Sequence, residues 1–253
     1  MIELKKVTIA FGKNVILQDI NLHVAEGEIV TIMGRSGCGK STLLRAIMGL
    51  IPIAAGEIHV QGRRVDNLNE RDMDEVRKTM GMVFQEGALF DSMNVRENVA
   101  FALRRHTTKK RKEVQEIVNE RLEAVGLEGV DDKRPDQLSG GMRRRVGIAR
   151  ALAMKPDILL YDEPTTGLDP ILTSTVVELI LKMRDRYNTT SVVVTHDLEA
   201  AARISDRAAM IHDGRFIAQG TIAELEKNAD SNVNKFFTIM NRRDSAGRAG
   251  EAS

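Results

Sequence analysis

The chain has 253 residues, of which 42% are hydrophobic and 29% are charged, a composition typical of a globular domain with a substantial core. A formal net charge of +1 argues against a dedicated nucleic-acid binder, because such proteins usually carry a strong excess of basic residues. No apolar run approaches the roughly 20 residues that a membrane-spanning helix needs, and the first residues lack the layout of a signal peptide. A single cysteine excludes an internal disulfide, so we expect a protein of the reducing cytoplasm.

The beginning of the chain predicts several short strands. Alternating and β-branched apolar residues favour strands at Ile2–Ala10, Ile20–Val24 and Glu28–Met33, with turns at residues 12–14 and 26–27. Phe11 follows the first strand, where its ring could stack on a purine base or pack inside a small sheet. The residues alone leave both roles open.

Residues 34–41 fit G-x-x-x-x-G-K-[ST], the pattern of a phosphate-binding loop, between a predicted strand and a predicted helix. Glycines let successive N–H groups point at phosphate oxygens, and the start of the helix adds the positive end of its dipole. Lys40 would bring a cation to the β- and γ-phosphates, and the Ser41 hydroxyl could join the shell of a Mg²⁺ ion. A plain glycine-rich turn is the alternative. The predicted phosphate-binding residues are Gly34, Arg35, Ser36, Gly37, Cys38, Gly39, Lys40, Ser41 and Thr42.

A further core strand is predicted at Met80–Phe84, and it ends in Gln85. An amide at the end of a parallel strand could contact Mg²⁺ or an attacking water, although a surface amide is the more common case. Helices are predicted between residues 94 and 126, with the basic run 104–112 between them. That run could face anionic lipid headgroups, but a solvated connection between helices is favoured.

A second helix start suited to an anion lies at residues 138–142, with sequence LSGGM, and its helix is predicted to run to about Met154. Ser139 is a good N-cap, and the paired Gly140 and Gly141 allow close approach of the backbone. Residues 143–145 are all arginine, and positive charge in the first turns opposes the helix dipole. A docked anion would offset that cost.

Two more apolar strands end in residues suited to catalysis. The strand at Asp157–Tyr161 precedes Asp162 and Glu163, adjacent carboxylates that are costly to bury unless they meet metal or water. We expect Asp162 to hold Mg²⁺ and Glu163 to polarise the water that attacks a γ-phosphate. The strand at Ser191–Thr195 ends in His196, and a lone histidine is usually structural or exposed.

The remaining segments predict a helix capped by Asp169, with Pro170 at its first position, and a hairpin at residues 213–214. Short helices are predicted at Ile222–Lys227 and Asn232–Met240. Residues 241–253 are small and polar and predict a disordered tail.

In this order the motifs resemble those of the ATP-binding-cassette (ABC) ATPases, over nearly the whole chain. The resemblance implies an α/β fold: a P-loop NTPase (RecA-like) core with an N-terminal antiparallel β-subdomain and an inserted α-helical subdomain. It implies one domain of residues 1–240, with the helical subdomain at about 90–155. The matching positions are Phe11 for adenine stacking, Gly34–Thr42 for Walker A, Gln85 for the Q-loop, Leu138–Met142 for the signature, Ile158–Glu163 for Walker B, Gly167–Asp169 for the D-loop and His196 for the switch histidine.

The resemblance also implies ATP hydrolysis with Mg²⁺ in a symmetric dimer. In that family the signature of one subunit, here Ser139, Gly140 and Gly141 with Asp169 nearby, closes on ATP held by the Walker A motif of the other. The implied catalytic residues are Lys40, Gln85, Glu163 and His196, and the implied Mg²⁺ ligands are Ser41, Gln85 and Asp162.

Met142 stands where most family members carry glutamine, and with residues 85–99 and 164–171 it is similar to a narrower group. These are the ATPases of Mla/Mce-type phospholipid transporters. The likeness implies two ATPase subunits on the cytoplasmic face of the inner membrane, beneath permease subunits. It also implies an Mce-domain lipid-binding protein, in some members a STAS-domain partner, and no nucleic acid.

Other classes of cassette ATPase remain as alternatives. An amino-acid importer or a cell-division complex also uses single-cassette subunits. A DNA-repair ATPase would need a long coiled coil between the Walker motifs, and the interval here is too short. A translation-associated ATPase usually carries two cassettes, whereas this chain has one phosphate loop.

Overall fold

The structure is a computed structural model, and it describes residues 1–238. The described chain forms two compact units: one contains residues 1–66 and 194–238, and the other contains residues 67–193. The single domain of residues 1–240 and the helical subdomain at 90–155 stay predictions. The predicted tail, residues 241–253, lies outside the described residues. Within residues 1–238, no helix combines the length and the apolar character needed to cross a membrane.

The helices and strands follow the predicted order closely. In chain order they are β1 (Ile2–Phe11), β2 (Asn14–Val24), β3 (Ile29–Met33), α1 (Lys40–Ile47), β4 (Ala55–Val60), β5 (Arg63–Arg64), α2 (Glu70–Arg77), β6 (Met80–Val83), α3 (Val95–His106), α4 (Arg111–Ala124), a 3₁₀ turn (Pro135–Gln137), α5 (Gly140–Ala151), β7 (Ile158–Asp162), α6 (Pro170–Tyr187), β8 (Thr190–Thr195), α7 (Leu198–Ile204), β9 (Arg207–His212), β10 (Arg215–Gly220) and α8 (Ile222–Glu226). Residues 231–238 are helical, and the last two residues of the helix predicted at Asn232–Met240 lie outside the described part.

The first unit contains an antiparallel sheet in the order β2-β1-β4-β5. The strand predicted at Ile20–Val24 is too short, because β2 begins at Asn14. Its first residues pair with the end of β1, Val15 opposite Ala10 and Leu17 opposite Ile9, so the antiparallel ladder continues to the turn at residues 12–13. Ile9 and Leu17 are both fully buried on one face of this sheet.

Parallel strands carry the two segments that precede the main motifs. In the first unit β3 pairs in parallel with β9, with Val30 opposite Arg207. In the second unit β6 pairs in parallel with β7, with Val83 opposite Tyr161. Every residue of β3 and of β7 is buried, which is the pattern expected of parallel strands covered on both faces.

The second unit contains the helices α2 to α6. The helical pattern predicted between residues 94 and 126 is two helices, α3 and α4, separated by residues 107–110 within the basic run. A capping box starts α3: the Asn94 side chain accepts from the N–H of Glu97, and the Glu97 side chain accepts from the N–H of Asn94. The predicted caps Ser139 and Asp169 begin α5 and α6, although α5 ends at Ala151 rather than Met154.

Candidate nucleotide-binding site

The predicted phosphate loop lies between β3 and α1 in the first unit. Gly39 is the N-cap of α1 and has φ 101°, a left-handed conformation that favours glycine. At Gly34 an added Cβ would lie 2.7 Å from the carbonyl oxygen of Ile211, so a side chain there would collide with main chain. Helix α1 begins at Lys40, so its free N–H groups lie in the loop, as expected of an anion-binding helix start.

Lys40 is buried and hydrogen-bonds to its own loop. Its Nζ donates to the carbonyl oxygens of Gly34 at 2.9 Å and Arg35 at 3.2 Å. The amine therefore fixes the curvature of the loop. Arg35, Ser36 and Gly37 are exposed at its tip, and the following Cys38, Ser41 and Thr42 are half-buried.

The other two predicted nucleotide contacts of the first unit lie at strand ends. Phe11 is the last residue of β1, and its ring is exposed rather than packed inside the sheet, which leaves its face open to a planar base. His196 directly follows β8 and is half-buried. Asp197 caps the unpredicted helix α7, since its side chain accepts from the N–H of Ala200 at 2.9 Å.

In the second unit β7 delivers both predicted carboxylates. Asp162 is the last residue of this strand and is buried, so the strand is one residue longer than predicted. Glu163 has φ 50°, a conformation that is costly for a residue with a side chain. The Thr166 hydroxyl donates to Oε2 of Glu163 at 2.9 Å. Four residues after Glu163 the D-loop begins, and its Asp169 accepts from the N–H of Leu172 at 2.8 Å.

The signature segment of the second unit exposes Ser139 and Gly140 at the start of α5. The Ser139 hydroxyl oxygen accepts from the N–H of Met142 at 3.2 Å, which is the predicted cap. Gly141 is buried, and an added Cβ would lie 3.0 Å from Leu172 of α6. The first glycine therefore faces outward, and the second permits close helix packing.

The three arginines of α5 find partners that the sequence did not predict. Arg143 donates to the carbonyl oxygen of Leu138 at 2.8 Å, and Arg145 donates to that of Gly126 at 3.1 Å. Arg144 donates from Nε to the carbonyl oxygen of Gln85 at 2.8 Å. Main-chain carbonyls thus interact with charge that we expected an anion to balance.

Gln85 follows β6 and is exposed, while its carbonyl accepts from Arg144. The backbone that follows packs against α5, because an added Cβ at Gly147 would lie 2.8 Å from Cα of Gly87. Arg150 donates to the carbonyl oxygens of Gly87 at 3.2 Å and Ala88 at 2.7 Å. The Q-loop is therefore held against the signature helix.

Sequence reasoning missed Asn98 and Arg144. Asn98 is fully buried, and its amide holds the loop at residues 90–94 through four hydrogen bonds. A signal was present: Asn98 lies three residues after Val95 and five before Leu103, on the apolar face of α3. An amide on such a face needs buried polar partners. Arg144 had no equivalent signal, because its partners are distant in sequence.

The donor atoms of the three predicted Mg²⁺ ligands suit that ion. Ser41, Gln85 and Asp162 offer hydroxyl, amide and carboxylate oxygens, the hard ligands that Mg²⁺ prefers. Among residues 1–238 no group of three or more His, Cys, Asp and Glu side chains is arranged to hold a metal ion. The donor set therefore fits an ion shared with phosphate oxygens better than an all-protein cage.

Comparison with known proteins decides the family. The sequence profile described as "ABC transporter" matches residues 17–166, more than half of the chain. The chain belongs to the ABC transporter ATPases. It is thus an ATPase that binds ATP, as the resemblance implied.

Curated relatives of this ABC ATPase cover almost its whole length. It is 44% identical over 237 residues to the "intermembrane phospholipid transport system ATP-binding protein MlaF" of Haemophilus influenzae, covering 94% of this chain and 90% of that protein. Identity to MlaF of Escherichia coli K12 is 41%, covering 94% and 88%. Identity to the "probable ribonucleotide transport ATP-binding protein mkl" of Mycobacterium leprae is 38%, covering 93% and 68%. The likeness to the Mla-type ATPases is confirmed.

Solved structures confirm the fold of this ABC ATPase. The dimeric ATP-binding cassette MJ0796, in a post-hydrolysis state with ADP and Pi, matches with a TM-score of 0.81 and 34% identity, covering 88% of this chain and 99% of that one. Clostridium perfringens cbiO1, part of the ABC transporter complex cbiONQ, matches with a TM-score of 0.83 and 29% identity, covering 90% of each chain. The predicted P-loop NTPase fold with an antiparallel β-subdomain is correct.

Proposed function

We propose that this chain is the ATP-hydrolysing subunit of an inner-membrane transporter that moves phospholipid between the inner and outer membranes. The observation that carries the proposal is the end-to-end match to MlaF, at 44% identity over 94% of this chain and 90% of the relative. Relatives named for ribonucleotide transport match at 38% and are covered over 68% of their length. The phospholipid assignment is therefore favoured, over an amino-acid importer or a cell-division complex as well.

The proposed roles of the residues follow from their chemistry. The loop N–H groups and Lys40 bind the β- and γ-phosphates, because a buried cation at a helix start favours a dense anion. The exposed Phe11 ring stacks on adenine. Glu163 polarises the attacking water, and His196 contacts the γ-phosphate. Mg²⁺, held by Ser41, Gln85 and Asp162 when bound, would neutralise developing charge on the phosphate oxygens.

A second copy of the chain completes each ATP site in this proposal. Ser139 and Gly140 are exposed at a helix start, which suits contact with phosphate oxygens held by another subunit. Ile171, just after Asp169 and Pro170, leaves 80% of its surface exposed, and large apolar residues are exposed to this extent where proteins meet. The related MJ0796 cassette is described as dimeric.

The permease would dock on a groove of the second unit. The groove has a volume of about 430 Å³ and lies beside the Q-loop. Phe90 and Phe101 line it with 42% and 41% of their surfaces exposed, and their ring centroids are 4.8 Å apart. Exposed aromatic pairs of this kind mark surfaces that bind a partner. Through this contact the subunit would sit peripherally on the inner membrane, with an Mce-domain protein and a STAS-domain protein as further proposed partners.

Glu163→Gln tests the hydrolytic role. The amide keeps the shape of the side chain but cannot polarise water, so nucleotide binding stays intact and turnover is nearly abolished. Glu178→Gln, an exposed change on α6, is the matched control and retains wild-type turnover. Turnover of Glu163→Gln near wild type would remove Glu163 from this role.

Purification from detergent-solubilised membranes tests the transport role. Recovery of a permease together with an Mce-domain protein supports phospholipid transport. Recovery of a periplasmic solute-binding protein instead refutes it, because such proteins serve importers of soluble substrates.

A further inference from the structure

One buried arginine joins three motifs within the second unit. Arg144, on the second turn of α5, is 5% exposed. Its Nε donates to the carbonyl oxygen of Gln85 at 2.8 Å, and its Nη2 donates to the carbonyl oxygen of Thr166 at 2.9 Å. The guanidinium is planar and rigid, so the two carbonyls are held at a fixed separation. Movement of the Q-loop backbone is thereby linked to Thr166.

Thr166 in turn holds the carboxylate proposed to polarise water. Its hydroxyl donates to Oε2 of Glu163 at 2.9 Å, and its N–H donates to the carbonyl oxygen of Glu163 at 3.4 Å. The positive φ of Glu163 is unfavourable for a residue with a Cβ. Such a conformation persists only where neighbouring contacts impose it, and the contacts with Thr166 do so.

Arg144 is not arranged for stability alone. Burial lowers the pKa of its guanidinium, which the charge of Glu86 partly opposes. Its Nη1 atom has no hydrogen-bond acceptor among the described residues. A buried donor without a partner costs stability, so a purely structural side chain would be expected to satisfy it.

We propose that Arg144 and Thr166 are positioning residues that set the orientation of the Glu163 carboxylate according to the position of the Q-loop backbone. The proposal deepens the proposed function and rests on it, because it takes Glu163 as the group that polarises water. Arg144 acts through the Thr166 peptide, and Thr166 acts through its hydroxyl. Neither residue touches substrate.

Thr166→Val is the decisive variant, because valine keeps the branched shape and removes only the hydroxyl. Steady-state ATP hydrolysis is measured on the full-length protein with the membrane partners that purify with it. We expect kcat to fall by roughly tenfold to a hundredfold, with KM for ATP unchanged, because a misplaced catalytic group affects the chemical step. Thr166→Ser restores the hydroxyl and most of the rate. Thr175→Val, which removes a hydroxyl that donates to the carbonyl oxygen of Ile171, is the control.

Arg144→Gln tests the link to the Q-loop, since glutamine cannot donate to both carbonyls. We expect the same loss of kcat with KM for ATP unchanged. Arg145→Gln removes the same charge from the same helix but leaves the Gln85 and Thr166 carbonyls bonded, and it retains activity. If Arg144→Gln fails to fold, Thr166→Val decides the proposal alone.

A double variant separates positioning from a general structural effect. In the Glu163→Gln background, Thr166→Val should cause no further loss in a single-turnover measurement, because its effect passes through the missing carboxylate. An equal further loss in that background overturns the proposal, as does an unchanged kcat in Thr166→Val alone. If Glu163→Gln itself turns over normally, the proposed function fails instead, so the two failures are distinguishable.

Discussion

Replacing Asn98 by aspartate exchanges one atom at the centre of a buried hydrogen-bond cluster. The Asn98 Nδ2 atom donates to the carbonyl oxygens of Phe90 at 3.1 Å, Met93 at 3.1 Å and Asn94 at 3.0 Å, while Oδ1 accepts from the N–H of Phe90 at 2.8 Å. In Asn98→Asp a carboxylate oxygen would face three carbonyl oxygens. An uncompensated buried charge costs about 3–5 kcal/mol.

That cost is large against the total stability of a folded domain. For a chain of this size it corresponds to a fall in Tm of about 6–20 °C, measured by circular dichroism or calorimetry. Asn98→Leu separates the two contributions, because it leaves the same carbonyls unpaired without burying a charge. We expect its loss to be about half as large.

Asn119→Asp is the matched control, since Asn119 is exposed on α4 and accepts a single bond from Gln115 at 2.8 Å. Its stability should stay within about 0.5 kcal/mol of wild type. A Tm of Asn98→Asp within 2 °C of the control, on the scale set by about 0.5 kcal/mol, would refute this account of the loop.

Three further predictions concern other parts of the chain. Alkylation of Cys38, half-buried in the phosphate loop, should block ATP hydrolysis, and ATP should slow the labelling; equal labelling rates with and without ATP would count against this. Gly147→Ala gains about 1 kcal/mol of helix propensity but forces Gly87 away, costing about 1–3 kcal/mol, so urea titration should show a net loss. Glu28→Gln should destabilise the protein at neutral pH, and the difference should vanish in acid, as thermal melting against pH would show.

The sign of the Glu28 prediction follows from its partners. Burial alone raises the pKa of Glu28, but hydrogen bonds from Arg207 and from the N–H of Ala25 bring the pKa below its ordinary value of 4.5. The folded state therefore binds the proton less well than the unfolded state. The stabilisation is complete above the unfolded pKa and is lost as the pH falls through the lowered folded value. Glu3→Gln, in an exposed pair with Lys5, should show no such pH dependence.

Features set by neighbours in sequence could be predicted. The caps Ser139 and Asp169 act within three residues, and the hairpin at residues 213–214 needs only its own turn. The buried strands before Gly34 and before Glu163 also follow from short apolar runs.

Features set by distant contacts could not be predicted. The first half of β2 exists because it pairs with β1, and its own residues 14–19 lack a clear strand signal. Arg144 takes partners 59 and 22 residues away, so its sequence position suggested only a conflict with the helix dipole. The identities of the motif residues were readable, whereas the contacts that orient Glu163 required coordinates.

The pairing of β3 with β9 has a consequence for the order in which the protein is made. Ile29 and its hydrogen-bond partner Asp206 are 177 residues apart. At about 5–20 residues per second a ribosome needs about 10–35 s to synthesise that interval. The strand that leads into the phosphate loop therefore waits, apolar and unpaired along one edge, until most of the polypeptide has emerged. Chaperones that shield nascent chains have their longest task at this edge.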